Sequence, residues 1–134
     1  MTTTTKAEKP VLTQQGGLRQ NYDGNWLTFT MQQNGKAVVM SAYYKKGRRG
    51  CELESIHLMQ AGKDGVASKF LFVLERHGGK VAVGAKIGQT TTFSESLHTE
   101  DFRRLGIDAA ELWSRLAKKE IYVWNELRKK SKAD

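Results

Sequence analysis

The stretch that decides the fold runs Trp26-Leu27-Thr28-Phe29-Thr30-Met31-Gln32-Gln33-Asn34-Gly35-Lys36-Ala37-Val38-Val39-Met40-Ser41-Ala42-Tyr43-Tyr44-Lys45-Lys46-Gly47-Arg48-Arg49. Its first seven residues alternate apolar and polar, and Ala37 to Tyr44 is rich in β-branched, aromatic and long apolar types. Between them lies Asn34-Gly35, the dipeptide best suited to a type I′ turn, in which both central residues take φ > 0. A two-residue loop there sets Gln33 opposite Lys36 and fixes every other pair by counting back. Leu27, Phe29 and Met31 then oppose Ala42, Met40 and Val38 on a wholly apolar face. The other face pairs Trp26 with Tyr43, Thr28 with Ser41, Thr30 with Val39 and Gln32 with Ala37. Two large aromatics therefore stand at one end of a polar face, and the cationic run Lys45-Lys46-Gly47-Arg48-Arg49 follows directly.

Phe70 to Ile87 repeats this logic around Gly78-Gly79. A two-residue tip sets His77 opposite Lys80 and Leu74 opposite Val83. It gathers Phe70, Phe72 and Leu74 with Val81, Val83, Ala85 and Ile87 on a core face. Gly84 on the reverse face leaves room for close approach by a backbone or ligand. Thr90-Thr91-Thr92-Phe93 offers a further short strand. Cys51 to Met59 is harder to assign, because neither alternating set is fully apolar, and strand and short helix both remain open. Residues 60–65 read as an exposed loop.

The two ends of the chain differ. Residues 1–23, with four threonines, Lys6, Lys9, Pro10, Gln14-Gln15 and Gly16-Gly17, read as a flexible arm, with Val11-Leu12 as the one candidate for an added edge strand. Residues 24–134 read as a single domain. Near the C-terminus Asp108-Ala109-Ala110-Glu111 has the spacing of a capping box. Ala109, Leu112, Trp113, Leu116, Ala117, Ile121, Trp124 and Leu127 then recur at helical spacing. Arg128-Lys129-Lys130-Ser131-Lys132 sets cations at the negative end of that helix. The expected fold is α+β: an antiparallel sheet of hairpins, four to six strands, packed by one long C-terminal amphipathic helix.

Composition narrows the function. The chain has 134 residues, 22 basic against 14 acidic, a formal net charge of +8, 39% hydrophobic and 27% charged residues. That balance suits a globular domain that attracts anionic partners, of which nucleic acid is the commonest. No apolar run approaches the ~20 residues needed to span a bilayer, so no membrane partner is expected. The N-terminus lacks the apolar core of a signal peptide, and Cys51 is the only cysteine, so a cytoplasmic setting, of a cell or an infected host, is expected. His57, His77 and His98 are scattered without metal-ligand spacing, and no metal or other cofactor is expected. Cys51 and His57 lie six positions apart, which in one strand puts them on one face with their Cα atoms about 20 Å from each other at ~3.3 Å per residue. Lys46-Gly47-Arg48-Arg49-Gly50 has neither the Walker spacing nor its Ser/Thr. No catalytic constellation stands out, and the chain is expected not to be an enzyme.

Flat rings for bases beside cations for phosphates are what a single-stranded nucleic-acid surface needs. Trp26, Tyr43, Tyr44, Lys45, Lys46, Arg48 and Arg49 are the expected contacts, with Lys69, Lys80 and Lys86 as supporting charge. Trp113 and Trp124 read as core or interface residues instead. The layout of β-hairpins followed by one long amphipathic helix is similar to the Whirly and PUR families of single-strand nucleic-acid binders. Gly35-Lys36-Ala37 matches three residues of the Whirly signature Lys-Gly-Lys-Ala, which is not present in full. The resemblance is one of element order, and no residue roles are carried over with it. The expectation is a single-stranded nucleic-acid binder, DNA favoured over RNA, largely indifferent to sequence and assembled as a dimer or larger homo-oligomer. Its rivals are a small basic inhibitor or assembly factor that meets an acidic protein, and a phage or viral capsid subunit that packages nucleic acid.

Overall fold

A computed structural model of the chain describes residues 11–21, 24–33, 36–61, 67–87, 90–93, 102–103 and 107–133. Seven strands follow in chain order: β1 (Leu12–Asn21), β2 (Gly24–Gln33), β3 (Lys36–Lys46), β4 (Cys51–Ala61), β5 (Ala67–His77), β6 (Lys80–Ile87) and β7 (Thr90–Phe93). Each pairs antiparallel with the next, so sequence order and spatial order coincide in one open meander. Two helices close the chain, α1 (Ala109–Ala117) and α2 (Glu120–Ala133).

The hairpin registers are those that the turn residues dictate. β2 and β3 pair from Gln33↔Lys36 back to Trp26↔Tyr43 without a slip, and β5 and β6 pair from His77↔Lys80 to Phe72↔Ala85. Gly78 and Gly79 both take positive φ, 59° and 83°, which is the reason glycine occupies both places at that tip. Residues 34–35 and residues 62–65 of the expected 60–65 loop lie outside the described residues.

Four expectations need correction. The sheet has seven strands rather than four to six. Residues 12–21, expected to belong to a flexible arm, form β1 along β2. A large bulge interrupts β1: Gln15 pairs with Thr28 and Arg19 with Trp26, so Gly16, Gly17 and Leu18 stand against Leu27 alone. Gly16 supplies the positive φ this needs, and Leu18 turns into the core. Cys51 to Met59, open between strand and helix, is strand, and β4 runs on through Gln60 and Ala61, which were expected to begin an exposed loop. Tyr43 pairs with Ser55 and Tyr44 with Leu53, which leaves Glu54 as an extra residue. Leu53 and Cys51 thereby reach the same face as Ile56 and Leu58 although their parity differs. That bulge is why neither alternating set looked apolar.

The fourth correction concerns the helix. Asp108 caps α1 as its spacing suggests, its Oδ2 accepting from the Glu111 N–H at 3.3 Å. The single expected helix is broken by a turn at Lys118–Lys119, where the Lys119 N–H donates to the Leu116 carbonyl at 3.1 Å, three residues back. The sheet imposes this break from two sides. The buried Tyr44 hydroxyl donates to the same Leu116 carbonyl at 2.7 Å, and the Leu53 N–H, beyond the last β4–β5 pair, donates to Glu120 Oε2 at 2.6 Å. Past the turn the apolar stripe is re-phased. Val123 and Leu127 enter the core, while Ile121, expected on the buried stripe, is 73% exposed.

One core cluster joins β1–β6 to both helices. It contains Leu27, Phe29, Met40, Tyr44, Leu53, Ile56, Leu58, Phe72, Leu74 and Val83 from the sheet, and Leu112, Trp113, Leu116, Val123 and Leu127 from the helices. Every sheet residue in it points to one side. Burial of that side is the main favourable contribution to folding.

Candidate nucleic-acid interface

The opposite side of the sheet carries the aromatic residues that the core does not use. Trp26 on β2 and Tyr43 on β3 are cross-strand partners, both half-buried, with ring centroids 5.0 Å apart and tilted by 35°. The indole also reaches across β3 to His57 on β4, edge-on at 5.6 Å and 71°. One glycine makes room for this arrangement. A Cβ at Gly24 would collide with the Tyr43 ring, so glycine lets the phenol lie flat over the start of β2. Gly24 also has a positive φ of 132°. The Trp26 Nε1–H is sealed from solvent and has no hydrogen-bond partner among the described residues. An unsatisfied buried donor costs about 1–3 kcal/mol.

The cations gather at one end of the sheet. β3 ends at Lys46, and the Gly47 N–H bonds the Gly50 carbonyl at 2.7 Å to close a tight loop before β4. Lys45, Lys46, Arg48 and Arg49 are all exposed there. Lys45 lines two grooves. One, of about 480 Å³, also touches Tyr43, Glu54, Ser55 and Glu75; the other, of about 780 Å³, runs between the loop and α1 past Lys46, Cys51 and Trp113. Lys46 belongs to the helix-side groove only. Antiparallel pairing brings the β5–β6 tip, with exposed Lys80, to the same end of the sheet as this loop.

Tyr44 is the expected contact that the structure removes. It is 0% exposed, lies on the core side and ties β3 to α1 through Leu116, so it cannot stack on a base. Burial, with Glu120 adding to it, raises its phenol well above the usual tyrosine range. Lys69 and Lys86 lie in β5 and β6, paired with Gln60 and Thr91; their side chains lie outside the described residues. Several residues of the site were missed by sequence reasoning. Arg19, exposed and paired with Trp26, comes from the segment taken for an arm. His57 joins the aromatic group from the strand whose face could not be assigned. Phe93 and His77 meet on the same side near the other edge, with centroids 4.7 Å apart.

Cys51 faces the core side and His57 the other, because the bulge at Glu54 reverses their relation; the expectation that they share a face is corrected. Burial pushes the Cys51 thiol up, with Lys46 opposing and Glu120 reinforcing that shift, so thiolate chemistry is not favoured there. Among the described residues no group of three or more His, Cys, Asp or Glu side chains is placed to hold a metal ion, and no helix is long and apolar enough to cross a membrane. Comparison with protein-family models, with curated proteins and with solved structures finds no match to this chain.

Proposed function

We propose that the protein binds single-stranded nucleic acid, DNA in preference to RNA, on the side of the sheet that the helices leave uncovered. One observation carries this reading: the Trp26–Tyr43–His57 ring group stands on that side, beside an exposed loop bearing Lys45, Arg48 and Arg49. Rings of this kind stack on bases at about 1–3 kcal/mol each without regard to sequence, while the cations neutralise phosphates. Arg19 extends the ring group on β1, and its planar guanidinium can itself stack. Stacking and phosphate contacts are largely indifferent to base identity, so weak sequence preference is expected. A Whirly- or PUR-like layout belongs to this reading only as an analogy of element order, hairpins followed by a helical C-terminus. The protein acts as a homo-oligomer in the cytoplasm on this reading, several modest sites adding through effective concentration.

A fluorescent oligo(dT) titration at two salt concentrations tests the proposal. Tight binding that weakens steeply with salt supports it. No binding at low salt refutes it, and the protein would then be sought among acidic partner proteins or, if light scattering shows particles, among packaging subunits.

A further inference from the structure

We infer that the bound strand crosses the sheet at right angles to its strands, running from Trp26–Tyr43 to a second stacking station made by Phe93 and His77. This inference rests on the function proposed above and adds a second binding element to it. Phe93 on β7 is the cross-strand partner of Gly84 on β6, and its ring lies over that glycine. A Cβ at Gly84 would stand 2.7 Å from Phe93 Cε1 and 2.8 Å from Cδ1, so only glycine accommodates the ring in this position. His77 tilts against the same ring by 57°, and its Nε2 lies 3.2 Å from Glu75 Oε1. Tyr43 over Gly24 is the same device at the other station. In both, a glycine lets an aromatic ring lie flat on the side away from the core.

Between the stations Ser55 and Val73 are buried, 7% and 4% exposed, so a strand would rest on the side chains that flank them, and the two rows of cross-strand partners there differ in charge. Cross-strand partners form a continuous row over all seven strands, Gln15–Thr28–Ser41–His57–Val73–Gly84–Phe93. It contains no acidic side chain. The neighbouring row, Arg19–Trp26–Tyr43–Ser55–Glu75–Ala82, holds the first station but carries Glu75, which repels phosphates, so past Tyr43 the strand shifts to the acid-free row at His57 and follows it to Phe93. Cations meanwhile punctuate the end of the sheet parallel to these rows: Arg19 on β1, Arg48 and Arg49 between β3 and β4, and Lys80 on β6. Phosphates can follow that line while bases lie on the rings beside it. From Trp26 on β2 to the ring over β6 is four strand spacings, about 19 Å at ~4.8 Å each. At the ~3.4 Å per nucleotide of a stacked strand this is roughly six nucleotides, and fewer if the strand is stretched.

Oligonucleotide length separates this inference from the reading beneath it. Oligo(dT) of about three nucleotides reaches one station and that of about twelve reaches both, within the usual span of single-strand sites. Phe93→Leu keeps an apolar side chain over Gly84 and removes the stacking ring. It should weaken binding of the long oligonucleotide about five- to 150-fold and leave the short one unchanged. Trp26→Ala should weaken both. If Phe93→Leu lowers the melting temperature, His77→Ala at the exposed hairpin end supplies the same readout. The inference is overturned if the long oligonucleotide binds with Trp26→Ala impaired and the Phe93 and His77 variants both normal. A wild-type protein that ignores both lengths overturns the proposed function as well.

Discussion

Tyr43 and Tyr44 are neighbours in sequence and stand on opposite sides of one sheet, and the two sides use aromatic residues differently. On the core side Tyr44 is sealed, its hydroxyl bonded to a helix carbonyl and its ring packed among Leu27, Leu53 and Leu116 in one cluster. On the other side Tyr43, Trp26, His57 and Phe93 remain half-buried, with ring contacts among the first three, between Phe93 and His77, and over glycines. The core side spends its rings on cohesion. On the far side the rings stay partly exposed, at the end of the sheet where Lys45, Arg48 and Arg49 are exposed. For these two tyrosines the side of the sheet, and not residue type or distance from the basic loop, decides between full burial and partial exposure.

The strongest attempt to break this contrast exchanges the two tyrosines as targets. Tyr44→Ala should destabilise the fold by about 3–5 kcal/mol, the range for truncating a buried aromatic, seen as a lower urea midpoint. Tyr43→Ala should shift that midpoint far less. If both variants lose equal stability, the two sides are not distinct. Next in size, Trp26→Ala or Tyr43→Ala should reduce oligo(dT) affinity by about 1–3 kcal/mol in a fluorescence titration. Unchanged affinity in both would remove the rings from the interface.

Tyr44→Phe sharpens the core side by a smaller step. Loss of the hydroxyl to Leu116 should cost about 0.5–1.5 kcal/mol at neutral pH. The folded chain holds this phenol protonated beyond the pH at which a free tyrosine ionises. Its contribution is therefore complete below about pH 10 and is lost as pH rises further, by up to ~1.4 kcal/mol per pH unit. Urea melts from neutral pH upward should show that alkaline fall in the wild type and a shallower one in Tyr44→Phe. The smallest effect concerns charge: each of Arg48→Ala and Arg49→Ala should flatten the dependence of log affinity on log salt by about 0.7, if each meets one phosphate. A slope identical to wild type would place the loop outside the interface.

The same contrast explains what could be read in advance. Asn34-Gly35 and Gly78-Gly79 each leave one sensible register, so the partners of Trp26, Leu27, Phe29, Leu74 and Val83 were legible from turn chemistry and alternation. Tyr44 was chosen for its closeness to the basic run, although alternation already put it on the face opposite Tyr43. β1 was hidden because Gln14-Gln15-Gly16-Gly17 has poor strand propensity and its bulge spoils the alternation. β4 was obscured by its own extra residue at Glu54. The turn at Lys118–Lys119 has no glycine or proline to announce it; its partners, Tyr44 and Leu53, lie far back in the sequence. Arg19, His57 and Phe93 entered the site only through lateral rows, which require every strand to be aligned first.

The meander order has a consequence for how the chain is made. Every strand pairs with its immediate predecessor, so the sheet is fully encoded once Phe93 has been synthesised. Its cover comes later, between Ala109 and Ala133, and is fastened by bonds that join residues 72 and 67 positions apart. A nascent chain halted between these points would present Phe29, Met40, Ile56 and Leu58 to solvent as a broad greasy plate. Ribosomal pausing before Leu112 would therefore favour clumping, and supplying residues 107–134 as a separate peptide should rescue such a fragment.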